Sequence, residues 1–169
     1  MSKRILLLPL VVLILSACEK TKDPGIEIPK PIDVAIISTY WNTLSVNYQY
    51  KAADGTLLYE NTKTYPDPMV NSVHYRFSED LRVTRTTDAD KSTTMGTYAI
   101  TRENKKDYLT ITWRPDVISK YEITAYTNKT MSWHIVKTEG EDLKYTKDGV
   151  QYTAASREGY IELHCPCKD

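Results

Sequence analysis

The densest grouping of reactive side chains is His164-Cys165-Pro166-Cys167, near the C-terminal end of a 169-residue chain that has three cysteines and three histidines in all. Thiolates beside an imidazole are soft ligands suited to zinc or copper(I), and short Cys/His tracts of this kind can hold metal. A structural zinc site needs a fourth ligand, and the other histidines, His74 and His134, lie far away in sequence. The same two cysteines can also close on each other, stay as inert thiols or pair between chains in an oxidising compartment. Cys165 and Cys167 are therefore a candidate disulfide, and with His164 the weaker candidate metal ligands. No cofactor is expected.

Other catalytic patterns are missing from the sequence. It contains no Gly-x-Ser-x-Gly elbow for a nucleophile, no glycine-rich phosphate loop and no His-Glu-x-x-His zinc pair. The acidic residues Glu79, Asp80, Glu139, Glu141 and Asp142 fall in predicted turns, where carboxylates are ordinarily solvated. A hydrolase would need a constellation that the spacing does not supply. The expectation is a protein that does no chemistry. The charge, 22 basic against 22 acidic side chains, also argues against nucleic acid, which requires a clustered basic surplus.

The third cysteine sits in a different context. Lys3 and Arg4 precede an apolar run from Ile5 to Leu15, then Leu15-Ser16-Ala17-Cys18. This has the form of an export signal, and the apolar run is well short of the roughly 20 residues a spanning helix needs. The tetrapeptide resembles the lipobox of bacterial lipoproteins, which implies that residues 1–17 are a signal peptide and that Cys18 is acylated and anchors the chain in a membrane. More than one fatty chain is needed for stable anchoring. Residues 18–35, with Pro24, Gly25, Pro29 and Pro31, have no sustained period and read as a tether. Glu19 lacks the aspartate that resembles an inner-membrane retention signal, so the outer membrane of the cell envelope is favoured.

The rest of the chain must hold the site residues in place, and it alternates. There are 21 Thr and 13 Tyr against one Phe, a composition that favours strands. Val73, Tyr75 and Phe77 share one face, as do Leu81 and Val83, then Leu109, Ile111 and Trp113, then Tyr121, Ile123 and Ala125, then Met131, Trp133 and Ile135. A period of two with one apolar face predicts antiparallel sheet. Asp54-Gly55 and Asp148-Gly149 are two-residue turn signals; Asn104 to Asp107 and Thr127 to Lys129 fit longer hairpins, with the Asn128-Lys129-Thr130 sequon read as a hairpin tip. Eight to ten strands between Tyr40 and His164 form an up-and-down meander, and closure into a barrel would remove both exposed edges. The predicted fold is an all-β, antiparallel barrel over residues 36–164, followed by a tail at 165–169.

Trp41 with Leu44, Tyr75-Arg76-Phe77-Ser78-Glu79-Asp80-Leu81, Gly96-Thr97-Tyr98-Ala99-Ile100, Leu109-Thr110-Ile111-Thr112-Trp113, Tyr121-Glu122-Ile123 and Met131-Ser132-Trp133 follow one another in that order. This series resembles the lipocalin-like lipoproteins of Bacteroidota, within the calycin group of barrels. Two positions depart from the pattern: Thr39 stands where a glycine is usual, and Glu79-Asp80-Leu81 where many relatives have Asp-Gly. Barrels of eight strands can be filled by side chains or can hold one small ligand. Trp41, Tyr98, Trp113, Tyr121 and Trp133 are the candidate lining of such a cavity, with packed core as the alternative for each. The expected function is non-catalytic binding of a small amphipathic or apolar ligand, or an extended peptide, by a lipid-anchored monomer. The alternative is a filled barrel acting as an adaptor for an envelope protein.

Overall fold

The computed structural model describes residues 32, 37, 39–67 and 72–167. The expected signal peptide, Cys18 and nearly all of the tether lie outside the described residues. The strands are β1 (Tyr40–Lys51), β2 (Leu57–Thr64), β3 (Val73–Phe77), β4 (Arg82–Thr87), β5 (Ser92–Glu103), β6 (Lys106–Arg114), β7 (Val117–Tyr126), β8 (Thr130–Lys137), β9 (Lys144–Lys147), β10 (Val150–Thr153) and β11 (Ser156–His164). A 3-10 turn at Glu141–Leu143 precedes β9.

Eight of these strands, β1, β3 to β8 and β11, close into an antiparallel up-and-down barrel, with β2 outside it. The closure is made by β1, which runs against β11 from Asn42↔His164 to Lys51↔Ser156. On its other edge β1 meets β3 through only Tyr40↔Arg76, Trp41↔Tyr75 and Asn42↔His74. A bulge lies between Thr43 and Ser45, and from Ser45↔Thr64 onward that edge belongs to β2. The β1–β2 hairpin therefore diverges from β3 and β4, which leaves the barrel wall open between them. Two elements depart from the simple meander expected: β2 falls between β1 and β3, and the β9–β10 hairpin falls between β8 and β11.

Turn chemistry explains why the strands reverse where they do. Asn104 and Lys105 (φ 51° and 66°) join β5 to β6, and Asp148 and Gly149 (φ 53° and 79°) join β9 to β10. Paired positive φ values match the twist of the flanking strands. At Asp54-Gly55 the Asp54 carboxylate accepts the Thr56 N–H at 2.9 Å, while Gly55 takes φ 85°.

The inward faces follow the predicted alternation with two corrections. Leu81, expected beside Val83 on the apolar face, sits instead in the β3–β4 turn at φ 63° and is 43% exposed. Its N–H donates to the Ser78 carbonyl at 3.1 Å, so the turn sets its direction. Ala125, expected with Tyr121 and Ile123, is exposed because a bulge between Ile123 and Ala125 interrupts the period of two. The closed end of the barrel is packed by Ile37, Trp41, Leu109, Met131, Leu163 and Cys165, all essentially inaccessible to solvent. Each large apolar side chain among them contributes about 1.5–3 kcal/mol by leaving water.

Candidate ligand cavity

At the opposite end the barrel interior is not filled. A cavity of about 370 Å³ is lined by Tyr48, Tyr75, Arg85, Tyr121, Ile135, Arg157 and Ile161, with Asp116 to Ser119, Lys137 and Asp142 at its rim. A second, of about 340 Å³, lies where the β1–β2 hairpin leaves β3. Its walls are Thr43, Val46 and Tyr48 of β1, Asn61 and Lys63 of β2, Tyr65 just after β2, Val73 and Tyr75 of β3, Arg85 and Thr87 of β4, and Ile161. Tyr48, Tyr75, Arg85 and Ile161 belong to both, so they form the shared wall. The local structure accounts for the opening: β3 and β4 are short, and the bulge in β1 turns its later residues toward β2.

The cavity is cationic and rich in donors. Arg85 lies opposite Tyr75 in the β3–β4 ladder and shares its parity with the buried Val83. Its guanidinium stands 5.4 Å from the centre of the Trp113 ring. The guanidinium of Arg157 lies 4.4 Å over the Tyr48 ring and its Nη1 is 3.3 Å from Asp142 Oδ1. In both arginines the Nε is buried without a hydrogen-bond partner. Burial raises the pKa of the Tyr75, Tyr121 and Tyr48 phenols, so at neutral pH all three retain a proton to donate.

Of the five aromatic residues singled out from the sequence, Tyr121 lines this cavity. Trp133 lies beneath it, with ring centroids 5.0 Å from both Tyr75 and Tyr121, and its indole N–H is buried without a partner. Trp113 supports Arg85. Trp41 is elsewhere, packed in the closed end with its Nε1 donating to the Ile37 carbonyl at 3.2 Å. Tyr98 also lies away from the cavity, edge-on to Phe77 at 5.0 Å, its hydroxyl donating to the Ser78 carbonyl at 2.9 Å. Arg85, Arg157, Tyr48 and Tyr75 were not singled out by sequence reasoning. The available signal was a charged residue at an inward position: Arg85 two residues after Val83, and Arg157 four before Ile161.

A larger hollow of about 430 Å³ near the β5–β6 turn is lined largely by charged residues of both signs, including Lys105, Lys106 and Glu122. Lys106 pairs with Glu122 at 3.0 Å and Arg102 with Asp107 at 3.8 Å, so both of its carboxylates are engaged by its own cations.

The C-terminal cysteines take part in the closed end. Their sulfurs are in close contact, their Cα atoms are 5.1 Å apart, and the Thr39 hydroxyl lies 3.6 Å from Cys165 Sγ and 3.4 Å from Cys167 Sγ. His164 occupies the other parity of β11, opposite Asn42 and Thr130. Among the described residues, no three of His, Cys, Asp or Glu come together as a metal-binding group.

One polar cluster has the residue types of a catalytic triad. His74 Nε2 is 2.6 Å from Asp88 Oδ2, and its Nδ1 is 2.7 Å from Asn42 Oδ1 and 3.4 Å from Ser72 Oγ. Ser72 is 1% exposed and His74 5%, so both side chains are buried. The cluster joins β1 to β3 at the short seam and satisfies the buried polar groups there. The hydrogen bond from His74 lowers the Asp88 pKa below its ordinary value.

No protein-family model matches the chain, and comparison with curated proteins gives no match.

Proposed function

We propose that this chain is a lipid-anchored envelope lipoprotein whose barrel binds a small amphipathic or apolar molecule without transforming it. The observation that carries the reading is the pair of adjoining cavities around Tyr48, Tyr75, Arg85 and Ile161. Each is within the roughly 300–1,000 Å³ range of small-ligand sites; the one beside the β1–β2 hairpin has the more apolar wall, and the one around Tyr121 and Arg157 is lined mainly by polar groups. The closed antiparallel barrel is consistent with the calycin-like resemblance read from the sequence. Lipid anchoring rests on Lys3, Arg4, the apolar run and Leu15-Ser16-Ala17-Cys18.

Native mass spectrometry of the chain, extracted from its own envelope in nonionic detergent without reductant, tests both parts. The expected spectrum shows a diacyl or triacyl adduct on the chain beginning at Cys18, a pair of hydrogens missing from Cys165 and Cys167, and a small molecule released on denaturation. A Cys18→Ser variant is expected to lose the acyl adduct. A bare polypeptide in every preparation would sink the binding reading.

A second reading, an adaptor for another envelope protein, is favoured by one observation. β2 pairs with β1 alone among the described strands, and its Leu57, like Val150 and Tyr152 on β10, is exposed. An unpaired edge can accept a partner strand. Crosslinking from Leu57 in intact cells separates the two, because the binding reading predicts no discrete protein adduct there.

A further inference from the structure

Resting on the binding reading above, the charge balance of the cavity narrows the ligand class. Arg157 and Arg85 both project inward, but their circumstances differ. Arg157 is compensated by Asp142 at 3.3 Å. Among the described residues no carboxylate forms an ion pair with Arg85, and its Nε is buried with no hydrogen-bond partner. Asp90, in the β4–β5 turn, feels the Arg85 charge only as the least of the influences on its carboxyl. The Trp113 face beside Arg85 attracts a cation but offers no hydrogen-bond acceptor. A partly buried guanidinium without a paired counter-charge carries a desolvation cost that a ligand anion would recover.

The position of Arg85 is as informative as its charge. It belongs to the wall shared by both cavities, so a group bound there can extend either toward Ile135 or toward Val46 and Val73. Protonated phenols of Tyr48 and Tyr75 stand on the same wall and can donate to an oxyanion. The arginine fork is suited to two parallel bonds with a planar carboxylate. Arg85 is the cation of the shared wall, Lys63 and Lys137 each lining one cavity only, so a carboxylate head group fits that wall, and Ile161 with Val46 and Val73 offers an apolar surface to a hydrocarbon portion.

We infer that the cavity takes an amphipathic carboxylate, its head group held by the Arg85 guanidinium and its apolar portion lying against Ile161 and the neighbouring aliphatic wall.

The test compares octanoate with octan-1-ol, which share a chain and differ in charge. Calorimetric titration uses the full chain in nonionic micelles, with protein-free micelles as the blank. Octanoate is expected to bind about ten-fold or more tightly than the alcohol, as a charge-assisted bond should give. Arg85→Gln should abolish that preference, and Arg85→Lys should keep part of it. A circular dichroism spectrum and a melting temperature matching wild type show that each variant is folded. If wild type binds the alcohol as tightly as the acid, or if Arg85→Gln leaves octanoate binding untouched, the inference is overturned while the binding reading stands. If wild type binds neither, both fall together.

Discussion

Gly96 gives the sharpest stability prediction, because the structure sets its magnitude. It lies on β5 facing inward, and a Cβ placed there would stand 2.6 Å from the Thr112 carbonyl oxygen and 3.1 Å from Cε3 of Trp113. The first contact is with backbone held in the β5–β6 ladder by Thr97↔Thr112, so it cannot rotate away. Overpacking of this kind costs about 1–3 kcal/mol, and the reduced entropy of the unfolded Ala chain returns about 0.4–1 kcal/mol. Gly96→Ala should therefore lose about 1–2 kcal/mol and melt roughly 5 °C below wild type. Gly159 is the internal control. Its added Cβ would meet Ile135 Cγ2 at 2.9 Å and Tyr48 Cε1 at 3.0 Å, both on side chains that can shift. Gly159→Ala should therefore cost less. The assay is denaturant unfolding of the full chain followed by tryptophan emission, with Trp113, in contact with Gly96, reporting a native-state change in Gly96→Ala. The reasoning is refuted if Gly96→Ala is as stable as wild type, or if Gly159→Ala is the more damaging of the two.

Leu81 holds φ 63° with an exposed side chain, so Leu81→Gly should relieve about 1 kcal/mol of backbone strain and raise the melting temperature; a fall would show that the side chain contributes packing. The Asp88 pKa is lowered in the folded state, chiefly by its hydrogen bond to His74, so its contribution is present above the ordinary carboxylate value and is lost as pH falls through the folded one. Wild type should lose stability in acid below about pH 4 more steeply than Asp88→Asn, and parallel curves would contradict this. The Tyr160 phenol, which donates to Glu158 Oε2 at 2.5 Å, is pushed up to about 12 chiefly by that bond. Its raised value stabilises the fold below the ordinary phenol pKa, and the effect is lost as pH rises from about 10 toward 12. Glu158→Gln should move one phenolate absorbance step to lower pH, and an unchanged titration would refute the assignment.

The barrel was legible because period-two alternation survives wherever one face is buried, as in Leu109, Ile111 and Trp113 or Met131, Trp133 and Ile135. It failed at Ala125 and Leu81, where a bulge and a tight turn redirect the chain through local backbone geometry that composition does not encode. β2 and the β9–β10 hairpin lie outside the barrel, and their mostly exposed sequences gave no sign of which neighbour they would pair with. The candidate site was half legible. Tyr121 was placed at the cavity, and Trp133 and Trp113 support its lining, because aromatic residues on the inward face are easily read as wall. Arg85 and Arg157 were missed because a charged residue on a strand is ordinarily assigned to solvent. An inward arginine becomes meaningful only once the divergence of β1 from β3 reveals an unfilled interior.

The binding site itself is tested most directly by amide chemical-shift mapping of the isotope-labelled full chain during titration with octanoate. The shifts should concentrate at Tyr48, Tyr75, Arg85, Tyr121, Arg157 and Ile161, leaving Trp41, Met131 and Leu163 at the closed end unmoved. Saturable shifts confined to the exposed face around Leu57, Val150 and Tyr152, with the cavity residues silent, would contradict it.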